Sequence, residues 1–234
     1  MLLRIMESHA VRLRGATAGL AILAGAGVML GALVAAPGSW LLGYVSEAGT
    51  AAAPWASAYR WGLIVLSVGV ALLALALRPQ SRPVAALLGG TAVFGATSGT
   101  VPCTNRCPLP PFEPTTASDV VHSAASIAGM VLLAGAMLLV AASAAFRPAA
   151  RRLAGVHAAL TVPLGGALGL IMLFVGRGPA GAILERIMLA VAVSWLIGTS
   201  TLTLLRSSVR LPPWMPQPNP SSTGSRSSNA ASRN

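Results

Sequence analysis

An all-α, polytopic six-helix transmembrane bundle with a disordered C-terminal tail is the fold class that this sequence predicts. Three observations predict it. Only 9% of residues are charged and 55% are hydrophobic, whereas soluble domains carry roughly 25% charged residues. Six apolar segments recur at near-bilayer length. Almost every charge lies between those segments, where membrane proteins place them. The formal net charge of +11 suggests a nucleic-acid partner on its own. Its distribution in short arginine runs beside apolar spans argues for membrane topology instead. No basic residue is lysine, and Ala, Gly and Leu abound, a bias that suggests a GC-rich bacterial genome.

The division expected is a cytoplasmic N-terminal segment at 1–15, a six-span membrane domain at 16–205 and a tail at 206–234. The first span, 16–36, is roughly 30 Å long at about 1.5 Å per residue, enough to cross a bilayer core. Arg4, Arg12 and Arg14 precede it, so a cleaved signal peptide is the competing reading. The apolar run exceeds the roughly 7–15 residues of a signal core, which favours a retained helix. Segment 37–59 holds Trp40, Tyr44, Trp55 and Tyr59, with Trp61 just beyond. Such amphipathic rings favour a headgroup region, so an interfacial stretch is expected, with a short helix at 40–45.

Further spans are expected at 61–77, 84–100, 120–146, 153–175 and 187–205, with tight turns at 78–83 and 147–152. The fourth exceeds what a bilayer requires and should tilt or project. Pro163 should kink the fifth, because proline removes a helix hydrogen bond. Gly165, Gly166 and Gly169 should let a neighbouring helix approach closely. From position 206 the chain is rich in Ser and Pro and lacks the apolar residues that offset ordering entropy, so disorder is expected.

Six spans put Arg4, Arg12, Arg14, Arg78, Arg82, Arg147, Arg151, Arg152, Arg206, Arg210, Arg226 and Arg233 on one side. The other side receives Arg60, Arg106, Arg177 and Arg186. The positive-inside rule then places both termini in the cytoplasm. Glu47, Glu113, Asp119 and Glu185 fall outside, so any polar site opens to the extracytoplasmic face.

That face carries the chemistry. Cys103 and Cys107 share one loop, and a disulfide is the natural expectation on an oxidising side. Closing so small a ring contributes about 2 kcal/mol in the chain-entropy model. Metal ligation by Cys103, Cys107, Asp119 and His122 is the alternative, with no C-x-x-C and no paired histidine to support it. Thr116-x-x-Asp119 matches a capping box at the start of the fourth span. His122 follows Asp119 by one turn, and Ser126 and Gly129 continue the same face, which should turn away from lipid. His122 reads either as a structural group bonded inside the bundle or as a base oriented by an acid. Glu185, Arg186 and Arg60 stand at the same depth. An Arg60–Glu185 ion pair, or a patch for a lipid headgroup or phosphate, fits arginine's planar fork. His157 lies near the inner end of the fifth span with no acid beside it in sequence.

The motifs Tyr44-Val-Ser-Glu47, Ala58-Tyr-Arg-Trp-Gly62, Cys103…Cys107-Pro108…Asp119-x-x-His122, and Glu185-Arg186 with Trp195 resemble those of the domain-of-unknown-function 998 integral membrane proteins. The resemblance covers roughly 16–205 and implies a six-helix membrane domain, without assigning it an activity.

No hydrolase, metalloprotease, P-loop or dinucleotide motif is present, and no cofactor is called for. Two functions stay in view. One is a non-catalytic module in the lipid bilayer that binds a lipid headgroup or a membrane protein partner through Glu47, Arg60, Asp119, His122, Glu185 and Arg186. The other is a membrane-boundary hydrolase using His122 with Asp119 or Glu47. The first reading further expects His122 within hydrogen-bond reach of Asp119, Glu47 or Glu185, directly or through one water.

Overall fold

A computed structural model describes residues 2–36, 41 and 43–205, with side chains from residue 10 onward. The tail at 206–234 lies outside the described residues, as do Trp40 and Leu42 of the expected interfacial helix. Among the described residues there are six α-helices and no strand: α1 (Leu2–Ala35), α2 (Ala56–Leu77), α3 (Arg82–Thr100), α4 (Ala117–Ala142), α5 (Pro148–Phe174) and α6 (Pro179–Leu205). A short 3₁₀ turn, Val45–Gly49, precedes α2.

Five of the six are long and apolar enough to cross a membrane: Ala10–Ala35 within α1, then α2, α4, α5 and α6. Helix α3 has the length for a crossing, but Thr91, Thr97, Ser98, Thr100 and four glycines dilute its apolar content.

Helix boundaries follow local chemistry. Helix α1 begins well before the expected span, because 2–14 contains neither Pro nor Gly to interrupt it. Ser81 caps α3 by accepting from the Val84 amide, with Pro83 in the first turn. Helix α4 stops at Ala142 rather than 146. Ser143 turns extended there, and its hydroxyl accepts from the Ala145 amide. The second link also differs from expectation, since Pro148 already opens α5 and the turn is made by 143–147. Helix α5 continues through Pro163.

Each helix packs on its chain neighbours, and α6 closes on α1. The pairings are antiparallel. Gly62 faces Gly25 while Gly69 faces Ile22; Gly99 meets Ile64 while Gly95 meets Ser67; Gly19 meets Ser200 while Gly15 meets Thr203. At the α1–α2 seam a β-carbon on Gly25 would lie 2.5 Å from the Gly62 carbonyl oxygen. Only glycine permits that backbone approach. The glycines expected to serve this purpose do not. Gly166 and Gly169 face open space, and Gly165 only touches the Met188 sulfur. No neighbouring backbone approaches any of the three.

The centre is filled by Trp195, Ile22, Leu73, Leu88 and Met137, all fully buried. Ser67, Thr161, Thr199, Ser200 and Thr203 are buried too, while Leu20, Leu30, Val93, Val131, Leu138, Leu170 and Leu173 point outward. Small hydroxyls inside and large aliphatics outside suit a lipid solvent, since a helix hydroxyl can satisfy itself on its own backbone. Ser67, Ser200 and Thr203 do so, each donating to the carbonyl four residues earlier.

Candidate functional site

The polar residues at the Cys103 end of the bundle separate into three places. The first is a station around Asp119. Thr116 and Asp119 form the capping box that their spacing predicts. Asp119 is 1% exposed, and both carboxylate oxygens are in use. They accept from the Thr104 amide at 2.6 Å, the Thr104 hydroxyl at 2.9 and 3.0 Å, the Thr116 amide at 2.8 Å and the Thr116 hydroxyl at 2.7 Å. Asp119 therefore ties the cysteine loop to the start of α4.

One turn on, His122 is also buried. Its Nδ1 lies 2.9 Å from both the Ser98 and Val101 carbonyl oxygens. Both can only accept, so Nδ1 carries the proton. Ser98 Oγ lies 3.3 Å from the same nitrogen and 2.9 Å from Ser126 Oγ. No carboxylate is among the hydrogen-bond partners of His122 in the described residues. The acid expected beside it is displaced by the free carbonyls at the end of α3, a strong acceptor pair that a helix end must satisfy anyway. Cys103 and Cys107 lie buried at disulfide distance, their α-carbons 5.0 Å apart.

The second place is a brace between the segment before α2 and the α5–α6 link. Glu47 accepts from the Tyr44 amide at 2.9 Å and pairs with the Arg177 guanidinium. Arg177 also stands 3.8 Å from Glu113 and over the Tyr44 ring, 5.7 Å from its centre. Glu185 accepts from the Val45 amide at 2.5 Å, and Arg186 donates to the Gly43 and Ala182 carbonyls at 2.8 Å. The Tyr44 ring is buried against Gly181, where a β-carbon would collide with its hydroxyl. Burial, reinforced by the Glu185 carboxylate, pushes the Tyr44 phenol up, so it stays neutral. Both tyrosines expected at the interface are buried, whereas Trp55 and Trp61 remain exposed.

Arg177 and Glu113 belong to this brace although neither stood among the six candidates. The signal available was an arginine between glycines, Gly176-Arg177-Gly178, in a short link on the side that holds most of the acids.

The third place is Arg60. It lines a cleft of about 160 Å³ with Ser57, Trp61, Ile64 and Gly99. The expected Arg60–Glu185 pair is not formed, since Glu185 is engaged by Val45. Arg60 has no ion pair or hydrogen bond among the described residues. A larger hollow at the opposite end is only the outer surface of the 78–82 turn. His157 sits toward that end, with Nδ1 2.8 Å from the Leu153 carbonyl and Nε2 3.0 Å from Ser194 Oγ.

Multiple apolar helices, hydroxyls turned inward and aliphatics turned outward define a multi-pass membrane protein. The chain belongs to the family described as "Protein of unknown function (DUF998)", whose model matches residues 12–202. No curated protein and no solved structure matches it.

Proposed function

We propose that this protein is a non-catalytic, six-span module of the cell membrane that binds a phosphate-bearing lipid headgroup at Arg60. The observation that carries the reading is a half-buried arginine, without an acid or hydrogen-bond partner among the described residues, in a cleft beside exposed Trp61. Tryptophan favours the headgroup level, and the planar arginine fork matches phosphate oxygens in pairs. The acids of the neighbouring brace and of the Asp119 station are occupied by their own donors and do not neutralise Arg60, which is half-buried in its cleft and can take an anion.

The packing order supports six crossings. Helices α2 and α4 each run antiparallel to α3, so they run parallel to one another. Two parallel spans in one chain need a return crossing between them, and α3 is the helix in that position. At 19 residues it measures about 28 Å, close to a hydrocarbon core. The arginine distribution then supports cytoplasmic termini and an extracytoplasmic Cys103 loop, where an oxidised Cys103–Cys107 bond is expected.

Two measurements test these statements. Native mass spectrometry after extraction from membranes of known lipid composition should show retained anionic phospholipid that Arg60→Gln largely removes. Equal retention by the variant refutes the headgroup site. For topology, a membrane-impermeant thiol reagent applied after reduction should reach Cys103 and Cys107 from outside, and labelling confined to the cytoplasmic side refutes the orientation.

A further inference from the structure

We propose that Cys103, Cys107 and His122 form a redox-gated site for a thiophilic divalent cation of the zinc type, open in the dithiol form and closed in the disulfide form. Each residue offers one ligand atom, and these atoms lie within 4.8 Å of one another. All three side chains are buried. Three residues separate the cysteines, a spacing found among structural zinc sites. Tetrahedral Zn–S bonds of about 2.3 Å place two sulfurs roughly 3.8 Å apart. Backbones whose α-carbons are 5.0 Å apart accommodate that separation as well as a disulfide.

The histidine is independently prepared for the role. Metal-binding imidazoles almost always donate their second ring N–H to a carbonyl or carboxylate, which fixes the tautomer and aims the other nitrogen. His122 Nδ1 is held in this way by the Ser98 and Val101 carbonyls at 2.9 Å. Nε2 then bears a lone pair, and it has no hydrogen-bond partner among the described residues. Asp119 sets the distance from the other side. By accepting from Thr104, next to Cys103, it pins the cysteine loop to the helix that carries His122. Its oxygens are fully engaged there, so the fourth position is left to water.

The chemistry balances with a thiol reductant. Two external thiols reduce the Cys103–Cys107 disulfide to two thiols and themselves form a disulfide. Binding of the cation then releases two protons from the cysteines. Exchange with an external disulfide runs the reverse: the Cys103–Cys107 bond forms, the external disulfide takes up two protons and leaves as two thiols, and the metal is released. This site is separate from Arg60, so its fate does not decide the lipid reading.

The test uses the full-length protein in detergent, reduced with a phosphine, freed of reductant and titrated anaerobically with Co²⁺. The expected result is one equivalent of tetrahedral cobalt, with thiolate charge-transfer and visible ligand-field bands that Zn²⁺ bleaches. Neither the oxidised protein nor Cys103→Ser should show these bands. His122→Gln should weaken binding at least tenfold and shift the ligand-field bands. A reduced wild type without stoichiometric bands overturns the proposal, and so does a His122→Gln protein with unchanged affinity and spectrum. Should that variant misfold, imidazole modification of the reduced wild type decides. Zn²⁺ should protect His122 from diethyl pyrocarbonate, and equal modification with and without zinc overturns the site.

Discussion

Asp119 and Arg60 are both charged groups at the same end of the bundle, yet their surroundings are opposite. Asp119 is enclosed, with amide and hydroxyl donors from Thr104 and Thr116 filling both oxygens. Arg60 lines an open cleft and meets no acid among the described residues. A saturated buried charge works as a structural tie, because each bond has already replaced the water it lost. An unsaturated one at a surface is available for something else. The brace around Arg177 stands between these extremes, internally paired but still partly exposed.

Substitutions should separate along this contrast. Asp119→Ala should have the largest effect, losing about 3 kcal/mol through an undone cap and stranded Thr104 and Thr116 donors. Chemical unfolding in detergent micelles measures it, and a loss below that of an ordinary surface change breaks the contrast. His122→Ala should cost about 2 kcal/mol, since two carbonyls at the end of α3 lose a donor in a buried setting. His157→Ala, at a partly exposed position where Leu153 O is already part of a helix, should cost less than half as much. Equal shifts for the two histidines count against the buried role of His122.

Arg177→Gln should be intermediate, at about 1.5 kcal/mol, because Glu47 and Glu113 lose a partner while keeping some access to solvent. Limited proteolysis between α1 and α2 should accelerate in that variant, and unchanged cleavage argues against the brace. Arg60→Gln should change stability by less than about 0.5 kcal/mol, as expected of a half-buried position with no partner among the described residues. Its effect should appear in lipid retention alone. A large loss of stability instead places Arg60 with the structural ties.

Much of this was legible along the chain. The apolar runs mark the helices because a bilayer sets both their length and their composition. The Thr116-x-x-Asp119 cap was readable because a capping box is closed within four consecutive residues. The end of α4 was not, since Ala144, Ala145 and Phe146 are as apolar as a helix, and only the Ser143 turn reveals the stop. The partners of His122 were missed for a different reason. An acid one turn away on the same helix is conspicuous in sequence, while backbone carbonyls at the end of another helix have no sequence signature.

What the sequence determined by itself was the class of molecule: an apolar, arginine-punctuated chain whose helices must satisfy their own backbones in lipid. Local caps and breaks came with it, because their hydrogen bonds span only a few residues. The tertiary structure alone decided which charges meet. Arg177 pairs with Glu47 across 130 positions, and Glu185 takes the Val45 amide rather than Arg60 across 140. Such pairings depend on how the helices close into a ring and on the exact height at which each link emerges. At these separations many combinations of like residues are equally compatible with one sequence, and only packing distinguishes a charge held by partners from one left open.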